Sequence, residues 1–414
     1  MRMDRILAGI VLTSLLLLAL ALPAAASDYT LEIFGNANED DTINMQDVTY
    51  TELIILEYRD ETDLADAKYD DKINMQDVTQ IELIILGQEK ELTIIDTADR
   101  VVTAKKPIER IVICSCGEQG EALRILGVMD KVVGVSGMIQ EEPAKSFFPE
   151  FQELPNVGEW DNYEAILSAD PDVLIMYDWT EWLYPDPEKN LPGVTLLRFN
   201  FYRGFEVFDE MRKFGYIFDR RDEAREYEEF IEGYLSVVYD RVGGLSEEEK
   251  PGVYVETTEP WRTANKDGGP ASPIRMAGGR NIAEDEEGTP TGMIPDIDPE
   301  WVIEQNPEII IKLDLGFFGG YADDDLSTLK DARDEVMNRE VLAHTAAVQN
   351  EEVYAISTGA FYLPYFHTSV AYLAKWFHPE LFEDMDPEAI HQEYLEKYHG
   401  GSKDFTFIYP PIGD

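Results

Sequence analysis

Residues Leu92–Ser136 read LTIIDTADRVVTAKKPIERIVICSCGEQGEALRILGVMDKVVGVS. Val101-Val102-Thr103 and Ile111-Val112-Ile113 are short β-branched runs, and branched side chains suit a pleated, half-buried surface. Glu118 to Leu126 reads as a helix, and Val132 to Ser136 as the next strand. The alternation continues outward. Tyr163–Ser168 is a short helix, and Val173–Met176 and Val194–Phe199 are strands. Tyr227, Phe230, Ile231, Tyr234, Leu235 and Val238 then keep the i, i+3, i+4 spacing of a long helix, which Gly243-Gly244 ends. After Pro251 the strands restart at Val253–Val255, Ile309–Ile311 and Val353–Ile356. Strands alternating with helices on both sides of one long helix predict an α/β class with mainly parallel sheets.

Upstream the chain repeats itself. Asn36–Leu56 is NANEDDTINMQDVTYTELIIL and Asp66–Leu86 is DAKYDDKINMQDVTQIELIIL, so INMQDV returns after 30 residues, from Ile43 to Ile73. Each copy has the spacing of a twelve-residue calcium loop. Such a loop sets oxygen donors at positions 1, 3 and 5, a carbonyl at 7, a polar group at 9 and a carboxylate at 12. The first copy offers Asn36, Asn38, Asp40, Thr42, Asn44 and Asp47. The second offers Asp66, Asp70, Lys72, Asn74 and Asp77, with the non-ligating Lys68 at position 3. An acidic helical hairpin without metal would share the charge. Aspartate rather than glutamate at position 12, and a single outgoing helix per loop, resemble the type I dockerin family over residues 31–87. That resemblance implies one or two bound Ca²⁺ ions, calcium-dependent folding and a cohesin-like partner. Asp41 and Asp71 depart from it, standing where the family has glycine.

Composition narrows the rest. Lys and Arg number 34 against 83 Asp and Glu, a formal charge of −49, which argues against nucleic acid as a partner. Arg2, Arg5, the apolar run Ile6–Leu22 and Ala24–Ser27 describe a secretory signal peptide over 1–27, with an uncleaved anchor as the rival. No cysteine follows the run, so a lipid anchor on cysteine is not available. Cys114 and Cys116, the only two cysteines, read as small core residues at a strand end. No G-x-S-x-G elbow, phosphate-binding glycine loop or H-E-x-x-H occurs, so no enzyme is expected.

The quoted entry stretch resembles iron-complex and vitamin B12 solute-binding proteins of ABC importers, of archaeal type. So do LPNVGEWDNYEAILSADPDVLI at 154–175, MAGGRNI at 276–282, IDPEWVIEQNPEIII at 297–311 and YLAKWFHPELFEDMDPEAIHQEYLEKYHG at 372–400. The fold class expected is α/β: two Rossmann-like lobes joined by a long helix, preceded by a small α-helical tandem calcium-loop module. The solute-binding domain would span 92–401, as an N-lobe (92–205), a connecting helix (206–244) and a C-lobe (250–401), with 402–414 as a tail. The resemblance implies a protein that delivers a small-molecule metal chelate or corrinoid to an ABC permease; the leader implies that it is secreted, and docking through the calcium module would hold it at the cell surface. An iron–siderophore complex leads, cobalamin follows, and haem is a further candidate. A third reading is an assembly or adhesion component acting through the calcium module.

Carried over by motif, Glu164 and Glu300 would dock on permease arginines; the rival role is favourable placement at a helix start. Cleft loops should come from strand ends: 114–118, 160–161, 177–182, 202–203, 261–262 and 361–367. The candidate ligand contacts are Ser115, Trp160, Tyr177, Trp179, Arg203, Trp261, Arg262, Tyr362 and His367. Aromatics give flat contact area, and the arginines can pair with anionic oxygens. Arg198, inside a strand, reads as structural. Free-metal transport is disfavoured, because of five histidines three (His378, His391, His399) fall in the C-terminal tail and only His344 and His367 approach the cleft.

Overall fold

The computed structural model describes residues 29–180, 187–204, 206–289, 291–316, 319–321, 326–401, 405 and 407–411. The leader over 1–27 and Trp182 therefore lie outside the described residues. The chain forms two compact units, which divide between Glu89 and Lys90.

In the first unit each repeat is a loop followed by a helix, α1 (Met45–Ile55) and α2 (Met75–Leu86). Both helices start the same way. Asn44 and Asn74 accept from the second backbone N–H, while Asp47 and Asp77 reach back to the cap residue's own N–H at 2.8 Å. This reciprocal cap satisfies donors that a helix start otherwise leaves orphaned. Val48, Ile54, Val78, Ile81 and Ile84 form the buried face.

The second unit opens with an antiparallel pair, β1 (Glu91–Ile95) and β2 (Val101–Lys105). The first lobe follows with β3 (Ile111–Ile113), α3 (Glu118–Ile125), β4 (Val132–Val135), α4 (Tyr163–Ser168), β5 (Val173–Met176) and β6 (Thr195–Arg198). Its sheet runs β4-β3-β5-β6 with every pair parallel. β3 and β5 are buried at every residue, which is why their sequences are apolar without alternation.

The connecting segment is two helices rather than one: α5 (Glu206–Ile217) and α6 (Arg221–Val242). α5 stops because Asp219 takes a left-handed conformation, φ 57°, and Arg220 N–H returns to Gly215 O at 2.7 Å. The Lys106 ammonium fixes the turn, donating to Tyr216 O (2.6 Å) and to Asp219 (2.5 Å).

The second lobe holds β7 (Gly252–Glu256), β8 (Thr263–Ala264), α7 (Ala271–Met276), β9 (Arg280–Asn281), β10 (Met293–Ile294), α8 (Pro299–Gln305), β11 (Ile309–Asp314), α9 (Ser327–Met337), β12 (Val353–Ser357), α10 (His367–Phe377), α11 (Pro387–Tyr398) and β13 (Ile408–Tyr409). Its main sheet is ordered β13-β12-β11-β7-β9, and only β13 runs antiparallel. β8 and β10 form a separate antiparallel pair.

The chain end returns to the first lobe. Tyr394 of α11 and His399 both meet the buried Glu121 of α3, which also pairs with Arg124. Burial pushes the Glu121 carboxyl up, but His399 and Arg124 override it and hold it at about 2.

Candidate functional site

In a parallel sheet the loops at the carboxyl ends of the strands converge, and ligands settle there. Both lobes follow this rule. β3 leads to Cys116 and Glu118, β5 to Tyr177 and Trp179, β6 to Tyr202, β7 to Thr257 and Thr258, and β12 to Thr358. All of these residues line one cleft of about 490 Å³, within the range of small-molecule sites.

Its walls are aromatic. Tyr177 stacks on Trp179 with ring centroids 5.3 Å apart, and Tyr202 meets Tyr177 edge-on at 5.8 Å. Tyr202 of the first lobe and Tyr362 of the second approach to 6.2 Å, so the two lobes close one end of the cleft with phenol rings. Gly204 and Ser272 make a second contact between lobes; a Cβ on Gly204 would sit 2.7 Å from that of Ser272, and its φ of +56° already favours glycine.

At the floor lies Glu118, 1% exposed, with the Tyr177 hydroxyl donating to it. Burial pushes this carboxyl up to about 7, against the partial opposition of the Tyr177 hydrogen bond. The same phenol oxygen accepts the Cys116 N–H at 2.9 Å. The Cys116 thiol stands 4.0 Å from the Met138 sulfur. Cys114 is fully buried, in a core with Leu174, Met176 and Leu196.

The sequence candidates divide. Tyr177, Trp179, Arg262 and Tyr362 line the cleft. Trp160 stands behind its wall, edge-on to Trp179 at 5.2 Å, with its indole N–H on Cys114 O. Ser115 lies fully buried beneath the floor, where its hydroxyl accepts the Gly117 N–H and its carbonyl accepts the Ser136 hydroxyl. Arg203 covers the Tyr202 ring and pairs with Asp178 at 3.2 Å. It faces an adjoining cavity of about 440 Å³ together with Lys266 and Arg275.

Two candidates point elsewhere. Trp261 packs in the second lobe's core and lies under the Arg339 guanidinium at 5.0 Å. His367 is 1% exposed, stacked on Tyr234 at 5.7 Å, and burial holds it neutral with a value lowered to about 3. His344 is exposed and is not among the lining residues. Glu118 and Tyr202 lie in the expected cleft loops 114–118 and 202–203 without having been singled out as contacts; Thr257, Thr258, Thr291 and Thr358 were missed, and for Thr257, Thr258 and Thr358 a place directly beyond a strand end was the available signal.

Glu164 and Glu300 occupy equivalent places. Each is exposed, in the first turn of α4 or α8. Asn162 caps α4 and Asp298 caps α8, so neither glutamate is needed as a cap. Among the described residues neither has an ion-pair partner. Asn156, Asn162, Glu164 and Ser168 line a surface hollow of about 410 Å³.

In the first unit the repeat residues do come together. Asn36 is fully buried, and its side-chain oxygen has no hydrogen-bond donor. Asp47, also fully buried, accepts the N–H groups of Asn38 and Asn44, and burial pushes its carboxyl up to about 6. A buried acceptor without a donor, in the same loop as a buried carboxylate that has no cation among the described residues, fits a bound cation. The second loop is built alike around Asp77, but Asp66 already accepts from Asp70 and Asp71 N–H. Asp71 takes φ 65°, the backbone shape for which glycine is the usual choice at this loop position. Among the described residues no three His, Cys, Asp or Glu side chains gather as a metal site; these loops mix amide and backbone oxygens with carboxylates.

A family model described as periplasmic binding protein matches residues 112–358. Among solved structures, the TroA-like periplasmic binding protein FepB of Veillonella parvula is 24% identical with a TM-score of 0.63, covering 76% of this chain and 98% of its own. The molybdate periplasmic binding protein MolA of Haemophilus influenzae, solved with molybdate, is 17% identical with a TM-score of 0.63, over 76% and 99%. A protein of an ABC-type Fe³⁺-hydroxamate transport system from Saccharomonospora viridis is 19% identical with a TM-score of 0.51, over 69% and 98%. At these identities the likeness shows the fold. None of the curated proteins matches the chain.

Proposed function

The chain belongs to the periplasmic binding protein family, and on that premise we propose that it captures an iron–siderophore-type complex between its lobes for delivery to an ABC permease. Members of the family are extracytoplasmic transport binding proteins, not enzymes. Among the described residues no helix is long and apolar enough to cross a membrane. The observation that carries the ligand reading is the cleft itself: four aromatic rings, one buried carboxyl and Arg262 around about 490 Å³. Flat rings suit an organic chelate, and few charged groups suit a ligand that has already wrapped its metal. Cobalamin is the second reading, supported by the same aromatic walls.

The test is a thermal-shift panel of ferric siderophores, cobalamins, haem and free divalent metals, at fixed calcium. A ligand bound only by the native state raises the midpoint by mass action, by about 2.7 kcal/mol at a hundredfold excess over Kd. A shift confined to ferric siderophores supports the proposal; a shift confined to cobalamins moves the assignment to the second reading. Silence across the panel refutes both.

The first unit would hold calcium through Asn36, Asn38, Asp40, the Thr42 carbonyl, Asn44 and Asp47, and more weakly through Asp66, Asp70, the Lys72 carbonyl, Asn74 and Asp77. The ion would tie each loop to its helix start. Docking of this unit on a cohesin-like surface partner is the matching proposal for cell-surface retention. Calcium should raise the unit's unfolding midpoint, and Asp47→Ala should abolish most of that rise. An equal response in the variant would remove Asp47 from the ligand set.

A further inference from the structure

A separate cavity of about 550 Å³ lies on the second lobe, between α10, the turn from α10 into α11, and the last strand, β13. It shares no lining residue with the ligand cleft. Phe405 and Phe407 give it an aromatic wall, their ring centroids 4.9 Å apart. Four exposed acidic residues also line it, and two of them have structural work. Asp384 pairs with Arg241 at 2.5 Å, and Asp386 caps α11 by accepting the Ala389 N–H at 3.1 Å. Lys375 turns its ammonium onto the Met385 and Glu383 carbonyls, at 2.6 and 3.4 Å. Glu383 and Glu388 have no ion-pair partner among the described residues.

Tyr372 lines the same cavity and is only 4% exposed, yet its hydroxyl has no hydrogen-bond partner among the described residues. Burial pushes this phenol above its usual value, and the nearby Glu388 and Asp386 carboxylates push it further. The hydroxyl and the two carboxylates thus face one space without bonding to one another. A nearly buried polar group without a partner lowers stability, and a positively charged donor between the three oxygens would satisfy them together. Among the described residues no three His, Cys, Asp or Glu side chains gather to hold a bare metal ion. The faces of Phe405 and Phe407 suit an organic cation instead, and the volume is that of a small-molecule site. We propose that this cavity binds a small organic ammonium ligand, whose charged nitrogen donates to the Tyr372 oxygen and the Glu388 carboxylate and whose apolar stem lies on Phe405 and Phe407. The chain would then carry a second binding activity, independent of the cargo held in the cleft.

The probe is butylammonium, titrated calorimetrically into the full chain at fixed calcium and in high sodium chloride, which screens the general attraction of a chain of formal charge −49 for cations. Butanol supplies the stem without the charge, and potassium the charge without the stem. The expected result is saturable binding of one butylammonium per chain, with neither control competing at equal concentration. Tyr372→Phe and Glu388→Gln should each weaken it by at least about tenfold, the scale of one hydrogen bond to a charged group. Tyr372→Phe keeps the ring and Glu388 is exposed, and unfolding midpoints of both variants establish that they fold. Equal binding of butanol would reduce the site to an apolar hollow, and displacement by potassium would make it an inorganic cation site; either overturns the proposal. Absent or unsaturable binding overturns it too, as does unchanged affinity in both folded variants. None of these outcomes touches the reading of the cleft, which the siderophore panel tests by itself.

Discussion

Uptake supported by this chain is expected to fall to background when Glu164 and Glu300 are both changed to alanine, while ligand affinity of the isolated protein stays unchanged. The expectation comes from where the two carboxylates stand. Each is exposed in the first turn of a short helix, one per lobe, and each helix start is already capped by a neighbour. Removing the glutamates should therefore cost stability only on the helix-dipole scale, about 0.3–1 kcal/mol each. Removing a carboxylate that meets an arginine across an interface costs about 2–5 kcal/mol per pair. Two such losses would leave no measurable docking at cellular concentrations, whereas the cleft is lined by other residues. Transport assays and calorimetric titration of the same double variant separate the effects. Normal transport by a folded double variant would remove both residues from docking; lost affinity would mean that they act through the fold instead.

A second large effect is expected at Glu256. Its carboxylate is fully buried and takes both Arg339 nitrogens, at 2.6 and 2.8 Å, the Lys312 ammonium at 3.0 Å and the Trp261 N–H at 2.9 Å. Burial pushes this carboxyl up, and Arg339 and Lys312 more than reverse the push, leaving it below the usual glutamate value. Glu256→Gln keeps the shape but leaves the buried Lys312 with only neutral oxygens, among them the Thr257 and Thr258 carbonyls, and Arg339 with the exposed Glu335 as its remaining carboxylate. Breaking a buried pair from one side costs about 3–5 kcal/mol. The denaturant midpoint of the second unit should drop accordingly with little change in slope. The sign of the pH dependence follows from the lowered value. The stabilisation is fully present above the unfolded glutamate's pKa and is lost as pH falls through the folded one. The variant should lack this component of acid sensitivity. A loss below about 1 kcal/mol would show that solvent reaches the cluster.

How far the sequence revealed this molecule depends on where each signal lies. The lobes were legible because strands buried on both faces are written as unbroken apolar runs, as at Ile111–Ile113 and Ile309–Ile311. The break between α5 and α6 was not, because a left-handed aspartate, Asp219, does there what glycine usually does. In the cleft, Tyr177, Trp179 and Tyr362 could be picked out as large aromatics near strand ends. Thr257, Thr258 and Thr358 could not, since a threonine carries no sign of its setting. Trp261 and His367 have partners far along the chain, Arg339 and Tyr234, and such pairings become visible only when the fold brings them together.

The most direct measurement is a calorimetric titration of ferric siderophores into the wild-type chain and into a Trp179→Ala, Tyr362→Ala double variant. The two side chains come from opposite lobes and both line the cleft. Saturable binding of one ligand per wild-type chain, weakened in the variant by at least about a hundredfold, is the predicted result, since burial of two large rings against the ligand is worth several kcal/mol. Equal affinity in the two proteins, with both folded, would place the ligand elsewhere and contradict capture between the lobes.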